Sequence, residues 1–517
     1  MTFEIVFVLL SLLGMVAALI ADKMRPGMVL FSVVVLFLCA GILTPKEMLE
    51  GFSNKGMITV ALLFLVSEGI RQSGTLGQVI KKLLPQGKTT VFKAQLRILP
   101  SVAFISAFLN NTPVVVIFAP IIKHWAKSVK LPATKFLIPL SYVTILGGIC
   151  TLIGTSTNLV VHGMILEAGF EGFSMFELGK VGIFIAIAGI IYLFLFSKRL
   201  LPDARPDTAV PDEEAEEGEV LHRVEAILGP RFPGINKKLG DFNFQRHYGA
   251  EVKEIKTRSG QRFVTNLDKV VLREGDTLVV MADDTFIPTW GESSVFVLLT
   301  NGNEPDTSGK KKRWLALILL VLMIVGATVG ELPITKEMFP NIKLDMFFFV
   351  SITTIIMAWT NLFPARKYTK YISWDILITI ACAFAISKAM VNSGVADSVA
   401  KFIIGLSDDY GPHVLLAMLF IITNLFTELI TNNAAAALAF PLALSLATQL
   451  GVSPVPFFVV ICMAASASFS TPIGYQTNLI VQGIGNYKFT DYVRIGLPLN
   501  IITFIISVIL IPMIWKF

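Results

Sequence analysis

Charge is scarce in this chain: 15% of its 517 residues are Asp, Glu, Lys or Arg, while 54% are hydrophobic. Soluble domains carry about a quarter charged residues, so the composition excludes an ordinary soluble protein and indicates an integral membrane protein. Cysteine is scarcer still. Cys39, Cys150, Cys382 and Cys462 lie singly inside apolar runs without metal-ligand spacing, which excludes disulfide, zinc and redox chemistry and leaves packing residues. Neither a catalytic pairing nor a metal cluster accompanies the polar positions of the apolar runs, so the chain reads as no enzyme. Short alternating strands are absent from those runs, which makes the spans helical. No basic segment precedes the first run, and Asp22-Lys23-Met24-Arg25-Pro26 follows it directly. That run is therefore expected to remain in the bilayer rather than be cleaved.

What is present is a series of apolar segments near 4–20, 27–43, 57–70, 98–122, 136–165 and 179–197. A polar region follows, and then 314–330, 344–360, 373–391, 413–447, 456–484 and 495–515. The fourth segment of each set is interrupted by amides, at Asn110-Asn111-Thr112 and at Thr431-Asn432-Asn433, and reads as a re-entrant hairpin. Each half then crosses five times. The net charge of +6 would suggest a nucleic-acid partner in a soluble protein, but the Lys and Arg gather beside the spans, where topology uses them. An external N-terminus makes 21–26, 71–97, 123–135, 198–313, 366–371 and 486–494 cytoplasmic, and these loops hold most of the positive charge. The opposite loop 166–178 carries Glu167, Glu171 and Glu177 with no basic residue. A multi-pass protein of the inner (plasma) membrane is expected, with both termini outside.

Residues 153–163 recur 320 positions later as 473–483 with seven of eleven identical, Ile-Gly and Thr-Asn-Leu among them. Ser73-Gly74 answers Ser393-Gly394, Asn111 answers Asn432, and Pro120 answers Pro441 at similar offsets. This predicts a duplicated unit. Because each copy crosses an odd number of times, the copies are expected to be inverted, with the first hairpin entering from the cytoplasm and the second from outside. Gly, Ser and Thr alone could serve close helix packing. Asn beside Gly inside long apolar stretches, twice per half, needs a stronger reason, since an unpaired amide in hydrocarbon is costly. Broken helices expose carbonyls at one half-helix end and N–H groups at the other, so one arrangement can hold sodium and face an anion.

At these residues the sequence resembles the divalent anion/sodium symporter family of sulfate and dicarboxylate carriers, in the ion transporter superfamily. The likeness covers essentially the whole membrane part. The family's Gly-Gly-x-x-Thr-x-Ile-Gly-Thr-x-x-Asn is matched throughout by residues 147–158, whereas the second break replaces small residues with Tyr475 and Gln476. The family's Ser-Asn-Thr tips keep the central Asn, at Asn111 and Asn432. The resemblance implies sodium ligands at Asn111, Thr151, Gly154 and Asn158, and again at Asn432, Thr471, Gly474 and Asn478. It implies substrate contacts at Asn110, Asn111, Thr112, Thr157, Thr431, Asn432, Asn433 and Thr477. A small anionic substrate, sodium ions, a homodimer and an elevator-like motion are further implications. Alternatives are a sodium/proton antiporter of the same superfamily, which would normally place Asp or Glu in the breaks, and an ion channel, for which no Thr-Val-Gly-Tyr-Gly filter exists.

The expected organisation is a first membrane repeat over 1–200, an acidic linker over 201–219, a small α+β cytosolic domain over 220–300 and a second membrane repeat over 310–517. The linker holds eight acidic residues and one basic and reads as solvated. Residues 222–285 look like the TrkA-C module of potassium-transport RCK proteins. In such modules a dimer interface can bind a cyclic dinucleotide, and Arg246, His247 and Tyr248 are the candidate residues here, or else an ordinary helix-to-strand junction. Glu68 and Lys388 occupy equivalent positions; they either pair or snorkel to the interface. Glu428 is expected near the second sodium site or orienting Asn432, and His162 in a satisfied polar contact.

Overall fold

The computed structural model describes residues 3–517 except 22, 86, 204–221, 230, 258–260, 284–285, 287–289, 291–294, 301–309, 340 and 407–410. The expected acidic linker thus lies outside the described residues from position 204 onward. The first half contains α1 (Phe3–Ala21), α2 (Pro26–Cys39), α3 (Pro45–Glu50), α4 (Lys55–Gln72), α5 (Thr75–Leu83), α6 (Val91–Ser106), α7 (Asn111–Ser128), α8 (Leu137–Gly148), α9 (Ser156–Glu167) and α10 (Gly179–Leu200). A sheet region follows, with β1 (His222–Leu228), α11 (Phe244–Tyr248), β2 (Glu251–Lys256), β3 (Arg262–Phe263), β4 (Thr277–Ala282) and β5 (Phe296–Thr300). The second half contains α12 (Lys310–Gly330), α13 (Pro333–Met338), α14 (Met346–Trp359), α15 (Trp374–Asn392), α16 (Val395–Leu406), α17 (Gly411–Leu429), α18 (Asn432–Leu450), α19 (Val455–Ser466), α20 (Gln476–Gly485) and α21 (Phe489–Ile514).

Eight helical stretches among the described residues are long and apolar enough to cross a bilayer, and four shorter apolar helices accompany them. Local sequence explains where helices begin. Asn54 caps α4 by accepting from Gly56 N at 2.8 Å, and Thr44 and Glu47 form a reciprocal capping box on α3. Gly74 and Gly394 both adopt left-handed φ, +70° and +74°, and each turns its helix into a short amphipathic one, α5 or α16. Those two helices fall in stretches expected to be loop. The second arm of the first hairpin also runs beyond the apolar segment, so that Lys123 and Lys127 lie on the last turns of α7, and α12 likewise begins ahead of its segment, with Lys310–Arg313 on its first turn.

Hydrogen bonds and ion pairs tie the connections into groups. Asn236 of the sheet region bonds the Lys23 carbonyl, Lys123 pairs with Glu225, and Lys312 reaches the Asn361 carbonyl. Elsewhere Asn54 meets Glu167, Lys55 meets Asp345, Glu331 accepts from Met175 N, Asn392 meets Glu47 and Trp515 donates to Glu177.

The sheet is antiparallel in the order β3-β2-β4-β1-β5. It has its own core, in which Phe232, Phe242, Phe244, Tyr248, Leu278 and Phe296 pack together, separate from the membrane core. It sits against the helices through β1 and β4: Glu225 takes Lys123 of α7 at 3.1 Å, and Thr277 lies beside Gly483 of α20.

Candidate transport site

Each helix interruption begins with the backbone it must satisfy. Between α8 and α9, and between α19 and α20, the chain is unwound in an apolar interior where water cannot serve its carbonyls. An asparagine on the following helix supplies the missing donors. Asn158 Nδ2 donates to Thr151 O at 2.8 Å and Gly148 O at 3.5 Å. Asn478 Nδ2 donates to Ser468 O at 2.9 Å and Thr471 O at 3.2 Å. Thr151 Oγ1 ties the first break to the Ala107 carbonyl, and Thr471 Oγ1 ties the second to the Glu428 carbonyl. Both breaks need glycine, since a methyl at Gly154 would collide with the Gly148 carbonyl and one at Gly474 with the Thr427 carbonyl.

The hairpin tips are built by a matching bond. Ser106 Oγ donates to Asn111 Oδ1 at 2.7 Å, and Thr427 Oγ1 donates to Asn432 Oδ1 at 2.7 Å. Asn110 caps α7 through the Thr112 N–H at 3.5 Å. A Cβ at Gly148 would stand 2.7 Å from Asn111 Oδ1 and 3.1 Å from the Gly154 carbonyl, so these oxygens surround the first break. Asn158 Oδ1 is buried beside it with no partner among the described residues. Carbonyl and amide oxygens of this kind suit a small hard cation. At the second break the corresponding oxygen, Asn478 Oδ1, accepts from Ser141 Oγ at 2.7 Å.

Tips and breaks cross between the halves. Asn111 Nδ2 donates to Tyr475 Oη at 2.5 Å, Thr112 Oγ1 to Gln476 Oε1 at 3.4 Å, and Tyr475 Oη stands 3.1 Å from Thr155 Oγ1. Ser156 and Thr157 donate to Asn433 Oδ1 at 3.2 and 3.3 Å. The starts of α7 and α20 therefore meet, as do those of α9 and α18. Helix starts carry partial positive charge and free N–H groups, the ingredients of an anion site. Thr431 Oγ1, at the cap of α18, is buried without a partner among the described residues.

Of the sequence-derived candidates, Asn110, Asn111, Thr112, Thr157, Asn432 and Asn433 lie at these junctions. Thr477 is turned away, its hydroxyl 2.9 Å from that of Ser141 of α8. Glu428 does not bond Asn432. Its carboxylate accepts from Ser470 N and Thr471 N at 2.8 Å each and from Asn500 Nδ2 at 2.7 Å, clamping the second break. Glu68 pairs with Arg71 and Gln72 rather than Lys388. His162 differs from expectation: its Nδ1 is buried without a partner among the described residues, and the ring packs on Gly172. In the sheet region Tyr248 is packed among Phe232, Phe244, Trp290 and Phe296, and burial pushes its phenol up to about 12. His247 stacks on Phe242 with centroids 4.8 Å apart, and Arg246 is exposed. Ser141 and Asn500 join the site without having been singled out in the sequence; the only signal was an isolated polar residue in an apolar run.

The model of the citrate transporter family, CitMHS, matches residues 16–451 and 338–517. The chain is 30% identical to an uncharacterized transporter of Synechocystis sp., over 93% of this chain and 92% of that one. It is 23% identical to a Chlamydomonas reinhardtii protein named probable sodium/sulfate cotransporter 3, over 93% of this chain and 85% of that one. The crystal structure of the Alcanivorax borkumensis YdaH transporter is similar in fold, with a TM-score of 0.52 at 12% identity, covering 90% of this chain and 86% of that one. The chain is a multi-pass membrane transporter that belongs to the citrate transporter (CitMHS) family.

Proposed function

We propose that this protein is a sodium-coupled symporter of a small anion, sulfate-like or dicarboxylate. The carrying observation is the crossing of tips and breaks: Asn111 with Tyr475, and Asn433 with Ser156 and Thr157. Four helix starts face one region with no Lys or Arg among the residues named there. Bound sodium and helix ends would supply the positive field. In this reading residues 1–200 and 310–517 are inverted repeats, and the sheet-bearing face is cytoplasmic by its positive charge. Two hairpins and two breaks form a transport body that slides as an elevator against a dimeric scaffold. In support, α18 packs along α15 while α7 barely touches α4, an inequality that one end state of such a motion would produce. The sheet region would act as a TrkA-C-like regulator. A cyclic dinucleotide would have to use Arg246 or His247, because Tyr248 is committed to the core.

A sodium/proton antiporter is the second reading, favoured by one observation: Glu428 is bonded to the second break. The two part on a single assay, uptake of labelled sulfate, succinate, citrate and taurine into proteoliposomes with and without a sodium gradient. The symporter gives sodium-dependent uptake of at least one anion. No sodium-dependent anion uptake, with sodium entry driven by a proton gradient, would establish the antiporter instead.

A further inference from the structure

The Tyr475 phenol stands where the two halves meet, and the proposed function gives it no role beyond joining them. At the corresponding place in the first break the sequence has Thr155, and the two hydroxyls are 3.1 Å apart. Tyr475 therefore reaches across the junction of the breaks to Asn111 of the first tip at 2.5 Å. Gln476 beside it takes the Thr112 hydroxyl. With these bonds made, Asn111 has its Oδ1 engaged by Ser106 and one amide hydrogen by the phenol.

We infer that Tyr475 is the residue that sets substrate size, restricting the site to a compact tetrahedral oxyanion and excluding di- and tricarboxylates. The inference rests on the anion-symport reading above. An aromatic ring replaces the smaller Thr of the other half and spans from the second break to Asn111 and Thr155, so it takes up space at the junction that a carbon-chain substrate would need. Its hydroxyl also hydrogen-bonds the Asn whose Oδ1 faces the first break, so the same residue links the anion's space to the cation's.

The test is uptake of labelled sulfate and succinate, each with and without sodium, by wild type, Tyr475→Phe and Tyr475→Ala in proteoliposomes. Tyr475→Ala is expected to raise the succinate-to-sulfate uptake ratio by about tenfold or more, the scale at which pocket volume discriminates. Tyr475→Phe keeps the ring, so the ratio should stay near wild type while the sodium concentration for half-maximal uptake rises. An unchanged ratio in Tyr475→Ala, with sodium-dependent sulfate uptake intact, overturns the size role alone. A wild type that prefers succinate to sulfate also overturns it. A wild type taking up neither of these nor any other anion overturns the symport reading beneath it. If Tyr475→Ala is too unstable to reconstitute, Tyr475→Thr, which reproduces the other half's residue, carries the same expectation.

Discussion

Asn158 and Asn478 make the same two backbone bonds but differ at the oxygen, and the difference has functional weight. Asn478 Oδ1 is held by Ser141, whereas Asn158 Oδ1 is buried with no protein partner among the described residues. A buried amide oxygen left open is costly unless something fills it. Asn158→Ala should therefore raise the sodium concentration for half-maximal uptake by about tenfold or more, and more than Asn478→Ala does. Equal effects would remove the distinction between the sites. Glu428→Gln keeps the side-chain shape but turns one acceptor into an NH₂ against a backbone N–H. Leaving such a donor unpaired costs about 1–3 kcal/mol, so a lower melting temperature with anion selectivity unchanged is expected in a thermal scan. A Glu428→Gln protein that instead keeps its stability and loses sodium coupling would give Glu428 a direct ionic role.

At the scale of elements, the helix breaks were legible because polarity inside an apolar run is loud. Gly147 to Asn158 announced a break, and the bonds of Asn158 to Gly148 and Thr151 are that break's internal structure. Helices α5 and α16 were not legible, since their Lys and Asp residues resemble loop while their apolar face is hidden in the period. Nor could sequence show that tip one meets the second break rather than the first alone, because Asn111 and Tyr475 are 364 positions apart. The glycine requirement belongs to this scale too. Gly154→Ala places a methyl against the Gly148 carbonyl, where neither backbone segment can yield easily. Loss of uptake with a lowered melting temperature is expected; wild-type behaviour would show that the break relaxes.

At the scale of the whole molecule, the sheet region is fastened to the helices by an ion triad. Burial works to raise the Glu225 carboxyl, but Lys123 of α7 and Lys256 of β2 more than offset it and hold it near 2. A carboxyl depressed when docked stabilises the docked form above its ordinary value of 4.5, and that stabilisation is lost as pH falls toward 2. Docking should thus be insensitive to pH between about 5 and 8 as far as this group is concerned. Glu225→Gln should loosen it at all those values, read as faster hydrogen exchange in β1 and at the end of α7. Unchanged exchange would make the triad incidental. Because α7 also carries the first hairpin tip, the region's attachment and the site share one element.

The central claim is that tips and breaks together hold sodium, and it can be tested without knowing the anion. Thermal unfolding of the purified protein, followed as sodium replaces potassium at constant ionic strength, reads binding to the folded state directly. The account predicts a rise in melting temperature with sodium that Asn111→Ala or Asn158→Ala reduces and the double variant Asn111→Ala with Asn432→Ala abolishes. Equal stability in sodium and potassium for the wild type would contradict it.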